Sequence, residues 1–158
     1  MKYKKKDLLI DGFKAESLAK KYSTPLYCYS LKKIKENIVN FKKSFEKVKP
    51  LTCFAVKANP NKILLREIGK LGLGADVVSM GELMKALRSG IKPDKIVFSG
   101  VGKTSKELTY AIEKKILLIN AESKSEILAI ERIASLKKRK VNIGIRLNPN
   151  TDAKTLSQ

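Results

Sequence analysis

Lys57 has the setting from which chemistry is most readily argued. The apolar stretch Cys53-Phe-Ala-Val56 reads as a strand that delivers a primary amine at its carboxyl end. Desolvation at such a rim favours the neutral, nucleophilic amine that a Schiff-base lysine needs. Position alone is weak support, since 29 lysines are present and most must be solvated surface. Asp76 precedes Val77-Val78 on a second apolar run. A carboxylate there is costly unless paired, and the amine of Lys57 or a bound cation is the natural partner. Arg146, one of five arginines, closes the run ending Ile145-Arg-Leu-Asn148. It suits a phosphate, a carboxylate or a neighbouring acid. Glu82 stands three residues after Ser79, so a capping role at a helix start competes with any catalytic one. Asn59, Ser79, Ser99, Asn120 and Asn148 are further polar residues expected at strand ends.

Other chemistries are excluded or disfavoured. The chain has no histidine, which removes Ser-His-Asp, Cys-His and His-ligated metal sites within it. Cys28 and Cys53 form neither a disulfide framework nor a zinc set. Phe98-Ser-Gly-Val-Gly-Lys-Thr104 mimics part of a phosphate-binding loop, but Val97 stands where that motif requires its first glycine. Gly100 and Gly102 are better read as a tight strand-to-helix turn, with Thr104 capping the helix. The net charge of +19 is carried by lysine spread along the whole length, without interleaved aromatics. That pattern points to a solvated surface and weak polyanion binding, not to specific nucleic-acid recognition. No run approaches the ~20 apolar residues of a membrane span, and the basic start lacks a signal peptide's apolar segment. The expectation is a soluble cytoplasmic protein.

The elements that must position these residues follow from periodicity. Tyr3–Ile10 reads as an edge strand, 14–22 as a helical turn or two, and Pro25–Tyr29 as a strand. Leu31, Ile34, Ile38, Phe41, Phe45 and Val48 recur at helical spacing up to Pro50, an amphipathic helix that should pack on a larger core. Beyond it, short apolar runs at 52–56, 75–78, 96–98, 116–119 and 141–147 recur every ~20–25 residues, the period of βα units in a parallel sheet. Three intervening helices open with the pairs Ser79/Glu82, Thr104/Glu107 and Ser123/Glu126, the pattern of a capping box. The first opens with Asn59 as N-cap and Pro60 behind it. Leu71-Gly72 and Ser89-Gly90 mark helix ends. A doubly wound five-stranded sheet and an incomplete (β/α)8 barrel both accept this array, and length alone favours the former.

Taken in order, these blocks resemble the N-terminal part of the diaminopimelate decarboxylase family of fold-type III pyridoxal 5′-phosphate enzymes. Thr24-Pro-Leu-Tyr27 matches the entry segment, and Phe54-Ala-Val-Lys-Ala-Asn59 is similar to the cofactor-lysine motif. The stretch Gly74–Leu83, Phe98–Thr104, Ile119–Ser123, Ile145–Asn150 and Asp152-Ala-Lys-Thr155 continue the series. The resemblance implies an α/β fold: a partial TIM-type barrel of about five βα units over 31–158, preceded by a segment, 1–30, of a β-sandwich domain. It implies Lys57 and Asp76 as catalytic residues, and Lys57, Asp76, Arg146 and Glu82 around the cofactor. It implies decarboxylation of meso-diaminopimelate to L-lysine, a small amino-acid substrate, and homodimers for full-length members. The family continues with a histidine after the Asp-Ala-Lys-Thr block and with further cofactor-binding blocks. Leu156-Ser-Gln158 stands there instead, and the chain is expected to be an inactive, poorly folding fragment of that enzyme. A related ornithine- or arginine-type decarboxylase and a non-enzymatic basic binding module are the alternatives.

Overall fold

The computed structural model describes residues 1–48 and 50–149. The Asp152–Thr155 block therefore lies outside the described residues. The chain divides into two compact units between Pro50 and Leu51.

The first unit holds an antiparallel meander of β1 (Lys2–Lys4), β2 (Asp7–Ile10) and β3 (Phe13–Lys14). The expected single strand is thus a hairpin, because Lys5 turns the chain with a φ of 54° and places Lys4 opposite Asp7. Helix α1 (Ala15–Tyr22) follows directly. Residues 25–29 form no strand with any of the described residues, contrary to expectation; Pro25 has no N–H to give a ladder. Helix α2 (Leu31–Ser44) starts at Ser30, whose Oγ accepts the Lys33 N–H at 2.9 Å and donates to the Asp11 carboxylate at 2.7 Å. It ends four residues before Val48, where Phe45, Glu46 and Val48 turn to tighter i→i−3 bonds. None of its residues is buried.

The second unit is a parallel sheet of β4 (Cys53–Ala55), β5 (Gly74–Val77), β6 (Ile96–Phe98), β7 (Leu118–Ala121) and β8 (Ile143–Ile145). Helices α3 (Lys62–Lys70), α4 (Met80–Arg88), α5 (Ser105–Lys114) and α6 (Lys124–Leu136) alternate with the strands. Its spatial strand order is the chain order, β4-β5-β6-β7-β8. A doubly wound sheet must reverse order at a switch point, and none occurs here. The winding is that of a (β/α) barrel in part, and the choice suggested by length is overturned.

Fully buried Val56, Leu65, Val77, Leu83, Ile96, Phe98, Leu108 and Ile119 form the core between sheet and helices. Burying each such side chain contributes about 1.5–3 kcal/mol. The helix starts differ from expectation in two respects. Helix α3 is capped by Asn61, which accepts from Ile63 and Leu64, while Asn59 only accepts from the Asn61 N–H. Asn61 is itself extended, with φ −64° and ψ 126°, so Pro60 and Asn61 cannot form a first helical turn and the helix begins at Lys62. Of the three expected capping boxes, α5 forms the reciprocal one between Thr104 and Glu107. In α4 and α6 the serine caps as expected, but the glutamate reaches one residue further back. Glu82 accepts from the Val78 N–H and Glu126 from the Glu122 N–H, both at 2.9 Å. Glu107 also accepts from the Met80 N–H at 3.0 Å, joining α5 to α4. These backbone donors, Thr104 first and Met80 next, hold its carboxyl below the ordinary range.

Candidate functional site

Parallel strands wound in chain order bring every carboxyl end to one side of the sheet. Lys57 occupies a single helical turn, Val56–Ala58, directly after β4. Val56 is fully buried and fixes the turn, while Lys57 is exposed. The burial expected around the amine is therefore not provided by the described residues. Asp76 lies on β5 opposite Ala55, two residues before the lysine on the neighbouring strand. Its partner is not Lys57, with which it forms no ion pair among the described residues. Ser99, just past β6, donates its hydroxyl to Asp76 Oδ1 at 2.6 Å, and Asn120 Nδ2 donates to Ser99 Oγ at 3.1 Å. Because the asparagine donates to the hydroxyl oxygen, the serine proton is free to face the carboxylate. The three residues form a one-directional chain that ends on Asp76.

Arg146 follows β8, with its backbone N–H on the Ala121 carbonyl at 3.0 Å. Its guanidinium reaches Glu122 Oε1 at 3.4 Å and stays half-exposed, whereas Glu122 is nearly buried. Lys57, Asp76, Ser99, Asn120, Glu122 and Arg146 together line one cleft of about 430 Å3. Glu82 lies outside this lining, its carboxylate engaged at the start of α4. Cys53, opposite Gly74 at the other end of β4, has its thiol pushed up by burial first and by the Asp76 charge second.

Ser99 and Asn120 were visible in the sequence only as polar strand ends, with no role. Glu122 was covered only within the Ile119–Ser123 block, with no role, since its pairing depends on β8 bringing Arg146 alongside. Gly144 was also missed. It faces Asn120 across β7 and β8, and a Cβ there would overlap Asn120 Oδ1. The glycine is what leaves room for the amide that orients Ser99.

The family described as pyridoxal-dependent decarboxylase, pyridoxal binding domain, matches residues 31–158. The chain belongs to this family. A diaminopimelate decarboxylase of Aquifex aeolicus is 45% identical over 155 residues, covering 98% of this chain and 36% of that protein. One from Helicobacter pylori is 49% identical over 143 residues, covering 90% of this chain and 35% of its own. The crystal structure of a Helicobacter pylori diaminopimelate decarboxylase complexed with L-lysine superposes with a TM-score of 0.84 at 47% identity, over 89% of this chain and 36% of that one. This chain therefore spans about a third of the length of these relatives. An arginine decarboxylase from a Paramecium bursaria Chlorella virus, at 23% identity and a TM-score of 0.65, shares the fold.

The family's cofactor, pyridoxal 5′-phosphate, presents an aldehyde, a ring and an anionic phosphate. The residues of the cleft fit such a group. An exposed amine stands at one wall and a half-exposed guanidinium at another, around a hydroxyl-buttressed carboxylate. The cleft volume is within the ~300–1,000 Å3 usual for small-molecule sites. Among the described residues no helix is long and apolar enough to cross a membrane.

Proposed function

We propose that this chain forms the cofactor-binding part of a cytoplasmic diaminopimelate decarboxylase. The whole protein would remove carbon dioxide from meso-diaminopimelate to give L-lysine, and would act as a homodimer. The observation that carries this reading is the convergence of Lys57, the Asn120–Ser99–Asp76 chain and Arg146 on one cleft. Relatives 45% and 49% identical bear the diaminopimelate decarboxylase name. Residues 1–30 are assigned to the β domain and 31–158 to the barrel, in line with where the family match begins.

Bound pyridoxal phosphate supplies an electron sink for the pair left on carbon when carbon dioxide departs. Lys57 would hold the aldehyde, its turn fixed by the buried Val56 beneath it. Asp76 keeps negative charge at the same wall, and the Ser99 hydroxyl keeps its Oδ1 oriented. Arg146, tethered by Glu122, offers the cleft a cation for a phosphate or carboxylate group. Glu82 acts through the start of α4 and so supports the Val78 edge of the cleft.

The test is chemical labelling at Lys57. The chain is incubated with pyridoxal phosphate, reduced with borohydride and mapped by mass spectrometry. Adduct concentrated at Lys57 and lost in Lys57→Arg is expected. Adduct scattered over the surface lysines without preference for Lys57 would refute the assignment. Carbon dioxide release from diaminopimelate is expected to be absent for the 158-residue polypeptide by itself, so labelling is the decisive readout.

A further inference from the structure

Lys103 carries a buried charge that the chemistry above does not use. Its side chain is 2% exposed and that of its partner Glu126 is 9% exposed. The ammonium donates to three oxygens, the Gly100 carbonyl, the Asn120 carbonyl and Glu126 Oε1, each at 2.7 Å. All three of its N–H groups are thus satisfied. It also lies 5.7 Å from the centre of the Phe98 ring.

The acceptors belong to three different segments: the turn after β6, the end of β7 and the first turn of α6. Each touches the cleft network. Gly100 adjoins Ser99. The Asn120 carbonyl sits on the residue whose amide orients Ser99. Glu126 places its other oxygen on the Glu122 N–H, and Glu122 holds Arg146. A well-packed apolar residue would brace the same spot without the desolvation of two charges. An ammonium with three converging bonds does something an apolar residue cannot, which is to fix the directions of carbonyls and a carboxylate.

Resting on the reading of the cleft as the cofactor site, we propose that Lys103 is a positioning residue for it. Its ammonium aims Asn120 and Ser99 at Asp76, and through Glu126 it aims Glu122 at Arg146. Lys103 touches neither cofactor nor substrate.

The test compares the chain with Lys103→Met and with the double variant Lys103→Met/Glu126→Gln, which leaves no unpaired buried charge. Two readouts are taken alongside a thermal melt: the Asn120 side-chain amide signals by 15N NMR, and the preference of borohydride-trapped pyridoxal phosphate for Lys57. In the double variant the melt is expected to fall but stay cooperative, because the Gly100 and Asn120 carbonyls lose a donor while no buried charge is left unpaired. The Asn120 signals should move, and the Lys57 preference should fall about tenfold. Parent-like Asn120 signals and Lys57 preference in that variant would show a brace without a positioning role and overturn the proposal. Absence of Lys57 preference in the parent chain, with Asn120 signals that still move in the variants, would sink the cofactor reading and leave the positioning role standing. Should the double variant not fold, Glu126→Gln alone decides. It keeps an acceptor for Lys103 and can release the Glu122 N–H, so the Arg146 side-chain signal should move while Asn120 stays. An unmoved Arg146 signal would overturn the proposal.

Discussion

Replacing Gly144 by alanine should separate the stability of the sheet from the order of the cleft. The residue lies on β8 with a φ outside the left-handed region, so its backbone accepts alanine. The added Cβ overlaps Asn120 Oδ1 and comes within 3.5 Å of both Asn120 Cγ and Leu118 Cδ2. The amide oxygen must retreat by about 1 Å to reach ordinary contact. Rotating the Asn120 amide achieves this, but the same rotation swings Nδ2 off Ser99 Oγ, now 3.1 Å away. Losing that bond costs about 1 kcal/mol. Stiffening the unfolded chain by Gly→Ala returns about 0.4–1 kcal/mol. The two nearly cancel, and the melting temperature should move by less than about 4 °C. Ser99, no longer held by the amide, can turn its proton away from Asp76. The expected result is therefore a nearly unchanged melt, displaced Asn120 side-chain amide signals and a several-fold weaker preference for Lys57 in borohydride trapping. A melt lowered by more than about 8 °C would mean that Asn120 cannot yield and that β7 and β8 must part. Unchanged Asn120 signals would refute the packing argument itself.

Gly74→Ala should behave in the opposite way. Its Cβ overlaps the Lys95 carbonyl oxygen and lies 2.8 Å from Cys53 Sγ, and a backbone oxygen between strands cannot rotate aside. A loss of about 3 kcal/mol or more is expected by urea titration, and a loss under about 1 kcal/mol would show that β5 and β6 are less closely set. Glu107→Gln should destabilise by about 1–2 kcal/mol at neutral pH, because the carboxylate serves Thr104 and Met80 together. The Glu107 carboxyl is held below its ordinary value of 4.5, so its contribution is full above that value and is lost as pH falls through the folded one. The stability gap between parent and variant in urea titrations should narrow as pH falls below 4.5, and a gap constant with pH would refute the charge-based account.

Much of the second unit was legible in the sequence. Period and capping residues placed all five strands to within two or three residues, because short apolar runs between strong N-caps admit few alternatives. The Ser79, Thr104 and Ser123 caps came out as expected. Strand order was not legible from length, and it decides the architecture. In the first unit the lysine-rich turn at Lys5 hid a hairpin inside what looks like one strand. Lys57, Asp76 and Arg146 were legible as residues, by motif and by the cost of burying a carboxylate. Their partners were not. Ser99 in place of Lys57 beside Asp76, and Glu122 beside Arg146, are choices made by inter-strand register, which no local pattern encodes. Gly144 is the extreme case, since its meaning lies wholly in the Asn120 amide of the next strand.

The side-chain bonds that build the cleft share a property that explains why they coexist in one run of chain. Asp76 to Ser99 spans 23 residues, Ser99 to Asn120 spans 21, Lys103 to Glu126 spans 23 and Glu122 to Arg146 spans 24. Each is the length of one βα unit. Winding the sheet in chain order makes neighbours in sequence neighbours in space, so every link joins a unit to the next and none skips one. A doubly wound sheet with the same residues would carry some of these ends apart at its switch point. Such short-range closure requires little loop entropy and is set as each unit packs on its predecessor. The polar wall of the cleft therefore follows from five consecutive strands and their helix starts. Asp76 is oriented by its two successors, and Lys103 locks those successors to the helix start that holds Arg146 in place.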